Sequence, residues 1–326
     1  ATPDTHEPTL DAKAEGFLAK FNGSGQRLWG TYIRGKGQGV AINAFNHLYV
    51  GGHTQVSTAD SMLITAGCHQ ASVELGSQHN GFLMQFDPQN GMRNWGTFYG
   101  AEFTTFGYTL ACDPYGNVFF GGDTKCYATL TTETIATEGS HQPSLGSAPG
   151  LSNPPSDAFI VQFDSTGERK WATYYGGTAG DGGKAIACDR NGALYLAGGS
   201  SSTAAIATPG TYQPTIGGSG DAFLVRFLPV DLALQALIDP DNDTLCSGTK
   251  PLSVLVANLG RMDKSDTLKI SCTYSGPATG ILDTFFTSGL AAGISDTFTV
   301  GNLDLSFPGN YSFTVYLHYT RNDNER

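Results

Sequence analysis

Charged side chains are scarce in this sequence, making up 14% of its 326 residues. Long solvent-exposed helices need many Glu, Lys and Arg residues, so the composition argues against them. No apolar run approaches the roughly 18 residues of a membrane span, and the first residues lack the basic and then apolar segment of a secretion signal. We therefore predict a protein that does not span a membrane.

The motifs of common enzyme and metal sites are also missing. Only six cysteines occur, with no CxxC pair, and no HExxH, GxSxG or strand-to-helix GxGxxG motif is found. The formal net charge of −11 disfavours nucleic acid as a partner, because an acidic surface repels phosphates. We predict no catalytic residues, and hence no enzyme.

Glycine is abundant, at 43 copies, and much of it belongs to an internal repeat. The string GFLAKFNGSGQRLWGTY at 16–32 returns at 81–100 and at 158–177, with Trp29, Trp95 and Trp171 in equivalent places. A second shared string follows each tryptophan and ends in paired glycines, as in TLACDPYGNVFFGG at 109–122. A chain of such copies indicates one architecture built several times.

Each copy contains four short apolar runs separated by turn residues. In the third copy we predict strands at Phe159–Phe163, Lys170–Tyr175, Lys184–Cys188 and Ala193–Ala197. Side-chain capping of a tight turn explains a further recurring position, which holds Asn43, Asp113 and Asp189. Four antiparallel strands per copy predict the blades of a β-propeller, which are stable because they pack face to face.

The third copy resembles a known family. The strings Tyr174 to Gly177, Cys188 to Tyr195, Thr208 to Pro214 and Asp221 to Val225 are similar to the SBBP repeat, a β-propeller repeat of bacterial surface proteins. The resemblance covers about residues 1–228. The first copy departs from it at 34–37 and at 44–47, which affects local loop shape rather than the fold.

The number of copies raises a question of ring closure. Three complete copies are followed by one further strand, DAFLVRF at 221–227, and three blades are too few to close a propeller. The opening ATPDTHEPTL matches ATPGTYQPTI at 207–216, so we expect that the sequence begins partway through a copy. We expect either that the polypeptide extends upstream or that two copies of the chain pair into a six-bladed ring.

Residues 229–326 no longer follow the repeat and predict an immunoglobulin-like β-sandwich of about seven strands. VLVANLG at 254–260 and PGNYSFTVYL at 308–317 resemble CARDB-like modules of bacterial surface proteins. Together with the SBBP-like copies, this resemblance implies cargo of the type IX secretion system of Bacteroidota, among surface adhesins and gliding motility proteins. It implies an extracellular or cell-surface location.

Candidate site residues are few. Asp239, Asp241 and Asp243 have the oxygen density that calcium favours, but a sixth-position glycine and a twelfth-position glutamate are missing, so a solvated loop is the alternative. Apart from calcium, no cofactor is predicted. Cys246 and Cys272 lie on separate predicted strands and form a candidate disulfide in an oxidising compartment.

Histidines form no ligand pattern. His6, His69 and His141 share the repeat position of Tyr212, which favours a packing role in every copy over metal ligation.

We predict a non-catalytic surface scaffold or adhesin segment that presents propeller loops to a protein or glycan on a cell surface, with the secretion machinery as a further partner. The alternative is a lectin-like propeller that binds sugars through aromatic and Asn or Gln side chains of the loops at 53–80 and 123–156. A third reading, an enzyme built on a propeller, lacks an identifiable pair of acids.

Overall fold

The structure is a computed structural model. It describes residues 1–10, 14–55, 60–72, 78–100, 104–125, 135–137, 140–146, 154–228, 232–240, 248–259, 267–291 and 293–319. Within these ranges the chain forms nineteen β-strands and no helix. The all-β class predicted from the sequence is therefore confirmed for the described residues.

The chain divides into two compact units, Ala1–Phe227 and Leu228–Arg326. In the first unit, four antiparallel sheets follow one another in chain order. The first sheet pairs β1 (Ala14–Phe21) with β2 (Arg27–Arg34), and the second contains β3 (Lys36–Ile42), β4 (Leu48–Thr54), β5 (Asn80–Phe86) and β6 (Arg93–Tyr99). The third contains β7 (Thr104–Cys112), β8 (Val118–Lys125), β9 (Asp157–Phe163) and β10 (Arg169–Tyr175), and the fourth contains β11 (Asp181–Cys188), β12 (Leu194–Ser200) and β13 (Asp221–Phe227).

The sheets begin at a different strand from the one that the repeat suggested. The four runs between Phe159 and Ala197 do not form one sheet, because β9 and β10 pair with β7 and β8, whereas β11 and β12 pair with β13. A repeat period fixes the spacing of strands but not the gap at which one sheet ends. Between β2 and β3 that gap is Gly35 alone, whose φ of +96° suits glycine.

The predicted turn caps are confirmed. Asp113 Oδ1 accepts hydrogen bonds from the backbone N–H groups of Tyr115 (3.0 Å) and Asn117 (2.9 Å). Asn43 and Asp189 accept the equivalent pairs of bonds in their own turns. A short polar side chain thus replaces the backbone partners that a tight turn cannot supply, and it joins the first two strands of each larger sheet.

Neighbouring sheets of the first unit pack face to face. β7 lies against β3 and β4, and β11 lies against β7 and β8. Aromatic and branched side chains fill the layers between sheets, and most of them are fully buried, including Phe82, Phe120, Phe159 and Ile160. Burial of each such side chain contributes roughly 1.5–3 kcal/mol, so the contacts between sheets stabilise the first unit substantially.

The second unit contains two antiparallel three-stranded sheets. One sheet has the order β14 (Leu232–Asp239), β15 (Thr249–Asn258) and β18 (Ser295–Asp304), and the other has the order β17 (Gly280–Phe286), β16 (Leu268–Ser275) and β19 (Ser312–Tyr319). Leu252 and Val254 of one sheet share a core with Ile270 and Cys272 of the other. The described residues thus provide six of the roughly seven strands predicted for this part of the chain.

Candidate functional site

The predicted calcium ligands are described only in part. Asp239 ends β14, is half-buried, and lies opposite Ser253 on β15. Asp241 and Asp243 lie outside the described residues, so calcium binding stays a prediction. Across the ranges given above, no group of three or more His, Cys, Asp or Glu side chains is placed to hold a metal ion.

The predicted disulfide is also described at one end only. Cys272 lies within β16 and is fully buried in the core of the second unit, where burial raises the pKa of its thiol. Cys246 lies outside the described residues. The pairing therefore stays a prediction.

The three repeated histidines pack against aromatic rings. Each one contacts the phenylalanine that ends the third strand of the following sheet, with ring centroids 5.6–5.9 Å apart, in the pairs His6 with Phe86, His69 with Phe163 and His141 with Phe227. Burial lowers the pKa of His6 to about 4, and the Arg93 guanidinium adds to this effect. A neutral ring in an aromatic layer has the packing role that the repeat predicted.

The same β-bulge interrupts the first strand of three sheets. The pairing of β3 with β4 skips Gln38, that of β7 with β8 skips Tyr108, and that of β11 with β12 skips Lys184. A bulge leaves one residue out of the ladder and turns its side chain in a new direction, which is why bulges are frequent beside binding sites. The fold therefore presents an amide, a phenol and an ammonium group from one repeated backbone position.

A glycine faces each of these three bulges. A Cβ atom on Gly52 would lie 1.9 Å from the carbonyl oxygen of Lys36, and one on Gly122 would lie 1.8 Å from that of Phe106. The same conflict, at 2.0 Å, occurs at Gly198. The strand that pairs with the bulge must carry glycine there, so the recurring glycine is the mark of the bulge in the sequence.

Around Tyr108 the bulges bring unlike groups together. The Tyr108 ring stacks on Phe106, with centroids 6.0 Å apart and planes at 9°. On β11, Lys184 places its Nζ atom 3.9 Å from the centroid of the Tyr108 ring and 3.2 Å from Asp123 Oδ1. A cation over an aromatic face and beside a carboxylate is attracted by both.

Two imidazoles complete the group. His53, at the end of β4, meets Phe106 edge to face at 4.9 Å, and His79 lies 4.6 Å from the same ring. His79 Nε2 also lies 3.1 Å from Gln55 Nε2. We call this set of six residues the Tyr108 cluster, which consists of His53, His79, Phe106, Tyr108, Asp123 and Lys184.

The chemistry of the Tyr108 cluster suits binding. Burial raises the pKa of Tyr108, and the neighbouring Asp123 carboxylate raises it further, so the phenol stays a neutral hydrogen-bond donor at physiological pH. The Lys184 ammonium is matched by Asp123 and is still 58% exposed. Flat aromatic surface, one accessible cation and one anion are the groups by which proteins recognise polar ring-shaped or zwitterionic ligands.

Sequence reasoning missed the Tyr108 cluster. Its members come from four strands and one loop, and they lie far apart in the sequence, between residues 53 and 184. The bulge position was nevertheless visible, because Gln38, Tyr108 and Lys184 stand at the same offset before the shared strand strings. A position that varies in chemistry within an otherwise uniform repeat was the available signal.

A second candidate is an open cleft of about 580 Å³ beside the last strand of the second sheet. It is lined by Cys68 and His69 of the loop at 53–80, by Trp95 of β6, and by Glu168 and Arg169 at the β9–β10 turn. Burial and the Arg169 charge lower the pKa of His69 to about 4, so this half-exposed ring is neutral at pH 7. The cleft combines an aromatic wall with charged groups of both signs.

The Asp157 carboxylate is buried and incompletely paired. Asp157 is 0% exposed, and its Oδ2 atom accepts hydrogen bonds from Gln142 Nε2 (2.9 Å) and the Gly146 N–H (2.7 Å). Within the described part of the chain, its Oδ1 atom has no partner. Burial raises the pKa of Asp157 to about 6, and the nearby Asp181 carboxylate adds to the effect.

Comparisons with known proteins give no family. No protein-family model matches this chain, and a search of curated proteins finds no match either. In the described ranges, no helix has the length and apolar character needed to cross a membrane. The function must therefore be argued from the site itself.

Proposed function

We propose that the chain is a non-enzymatic extracellular scaffold whose first unit is a propeller-type display module and whose second unit is an immunoglobulin-like spacer. The packing of β3, β7 and β11 against one another in turn supports the first assignment, because the innermost strands of propeller blades meet around an axis. Two sheets around one core support the second. The resemblance to SBBP and CARDB-like modules supports export by the type IX system to a bacterial cell surface.

The observation that carries the display function is the repeated bulge. One backbone feature holds three different side chains, Gln38, Tyr108 and Lys184, while the strands around it stay alike. Packing alone would favour the same residue in each copy. Gln38 and Lys184 are exposed and Tyr108 is half-buried. Variation at one position of a constant framework is what a surface that recognises a partner requires.

Adhesion of coated beads tests this proposal. Beads carrying the purified chain are applied to panels of immobilised glycans and extracellular matrix proteins, and we expect retention on at least one surface. Lys184→Ala should reduce that retention at least tenfold, since it removes the exposed cation of the Tyr108 cluster. Lys170→Ala is the matched control, because Lys170 also pairs with carboxylates on the first unit but lies on β10.

The outcomes separate binding from catalysis. Equal retention of the Lys184→Ala and Lys170→Ala variants would remove the Tyr108 cluster from the binding surface. Chemical conversion of the retained ligand, followed by mass spectrometry, would contradict the non-enzymatic part of the proposal.

The cleft favours a second candidate, a lectin-like sugar site. Trp95 provides aromatic surface, and Glu168 and Arg169 provide hydrogen-bonding groups in the same cleft, a combination that suits a sugar ring. In a glycan array, Glu168→Ala should then lose the signal while Lys184→Ala keeps it. The reverse pattern favours the Tyr108 cluster, and an array without hits for the wild-type chain dismisses the sugar site.

A further inference from the structure

The last strand of each complete sheet is held along both of its edges. β6 pairs with β5 on one side, and on the other side it meets a loop segment that runs beside it. The Gln70 N–H donates to Thr97 Oγ1 (2.9 Å), and the Phe98 N–H donates back to the Gln70 carbonyl (3.2 Å). The loop therefore acts as a short additional strand that closes the edge of the sheet.

The same clamp occurs at the two other strands that carry a tryptophan. At β10, the Gln142 N–H donates to Thr173 Oγ1 (2.9 Å), and the Tyr174 N–H donates to the Gln142 carbonyl (3.0 Å). At β2, Glu7 replaces the glutamine and makes the equivalent bonds with Thr31 and Tyr32, at 2.7 and 3.0 Å. All three clamped strands share the pattern Arg-x-Trp-small-Thr-aromatic.

The fourth sheet has a strand and a loop that correspond to the two sides of such a clamp, but no clamped strand is described between them. β13 pairs with β12 along one edge, and in the described part of the chain no strand pairs with its other edge. The loop that would face that edge contains Gln213, at the repeat position of Gln70 and Gln142. We call the space between β13 and residues 208–214 the β13 slot.

The loop beside the β13 slot already has the clamped conformation. Gln213 Nε2 donates to Asp221 Oδ2 (2.8 Å), and the Gly217 N–H donates to the same oxygen (2.5 Å). In the complete third sheet, Gln142 and Gly146 bind Asp157 through the same pair of bonds. The acceptor side is thus formed without a strand in place, which lowers the ordering entropy that binding must overcome.

We propose that the β13 slot binds an extended peptide strand with the pattern Arg-x-Trp-small-Thr-aromatic, antiparallel to β13. Recognition would use backbone pairing along the strand and one specific contact, from the Gln213 N–H to the threonine hydroxyl. A folded second copy is a poor donor, since β2, β6 and β10 are each held along both edges. The inference stands apart from the display function, because the slot and the Tyr108 cluster use different residues.

A peptide with the sequence of residues 167–177, which contains β10, is the probe. Isothermal titration calorimetry of the intact chain should give one peptide per chain. A peptide with Val in place of the residue equivalent to Thr173 should bind about tenfold more weakly, because it keeps the shape and loses the hydroxyl. A scrambled peptide should show no binding, and equal binding by the scrambled and native peptides would overturn the proposal.

Two variants of the chain locate the binding site. Gln213→Pro removes the N–H that meets the threonine, whereas Gln213→Ala keeps it and serves as the matched control. We expect a loss of at least tenfold for Gln213→Pro, a smaller loss for Gln213→Ala, and no further loss when the valine peptide is added to Gln213→Pro. Unchanged affinity for Gln213→Pro would show that the peptide does not bind in the slot. If the chain forms a dimer that excess peptide does not dissociate, the dimer contact does not use the slot in the way proposed for this strand.

Discussion

β9 and β13 have almost the same sequence and very different surroundings. DAFIVQF and DAFLVRF differ at Ile160, which becomes Leu224, and at Gln162, which becomes Arg226. All seven residues of β9 are buried, whereas Leu224 is 72% exposed. β9 pairs on both edges and is covered by β11, while β13 pairs on one edge only among the described residues. The shared sequence therefore places each strand third in its sheet, whereas the burial of its side chains depends on the strands and sheets that pack next to it.

The largest test of this comparison is a pair of truncations. Ile160→Ala should cost about 3 kcal/mol, because the side chain is 0% exposed and packs with Ile186 and Leu196 of the next sheet. Leu224→Ala should cost less than about 0.5 kcal/mol, since the leucine lies in solvent. Urea unfolding followed by tryptophan fluorescence measures both, and all three tryptophans belong to the first unit.

Similar costs for the two truncations would break the comparison. They would mean that the outer face of β13 is covered in solution. A control at an exposed position of the second unit, Ile281→Ala, should leave the tryptophan transition unchanged.

These two strands also show which features of the fold could be predicted from the sequence. The repeat predicted the strands, their turn caps and the all-β class, because alternation and turn chemistry are local properties. It did not predict which gap separates two sheets, nor the Tyr108 cluster, whose members meet only after the sheets have packed. Gln38, Tyr108 and Lys184 were aligned in the sequence, but their common direction depends on a bulge that only the pairing of strands reveals.

A smaller effect is expected at the aspartates that begin the two strands. Asp157→Asn should stabilise the first unit at pH 7 by on the order of 2 kcal/mol, since it removes a buried charge whose pKa is raised by burial and by the nearby Asp181 carboxylate. The second sheet already has asparagine here, at Asn80. Asp221→Asn, in the more exposed β13, should change stability by less than about 0.5 kcal/mol.

The dependence on pH sharpens the same test. A carboxyl whose pKa is raised in the folded state binds its proton more tightly there, so its contribution is fully present below pH 3.8 and is lost as the pH rises through about 6. We therefore expect the melting temperature of the wild-type chain, relative to that of Asp157→Asn, to be highest at low pH and to fall as the pH rises through about 6. A difference between the two proteins that stays constant from pH 4 to pH 7.5 would contradict the assignment of the proton to Asp157.

The smallest effect concerns the tryptophans beside these strands. Trp95 Nε1 donates to the Ser165 carbonyl (3.0 Å) in the turn after β9, as Trp29 Nε1 does to the Pro88 carbonyl (3.1 Å) in the turn after β5. Trp171 occupies the equivalent repeat position and contacts Phe227, the last residue of β13. Within the described residues its buried Nε1 has no partner. Both replacements by phenylalanine lose similar apolar area, but only Trp95→Phe also loses a hydrogen bond.

Trp95→Phe should therefore cost about 1 kcal/mol more than Trp171→Phe. Urea unfolding of the two variants gives this difference, followed by circular dichroism at a β-sheet wavelength because the fluorescence signal itself is altered. A longer peptide, residues 164–177, extends the test, because it contains Ser165, whose carbonyl is the acceptor of the Trp95 Nε1–H in the third sheet. If the cost of Trp171→Phe then rises toward that of Trp95→Phe, the difference between the two regions lies in the strand that β13 lacks, and an unchanged cost would place the cause within β13 itself.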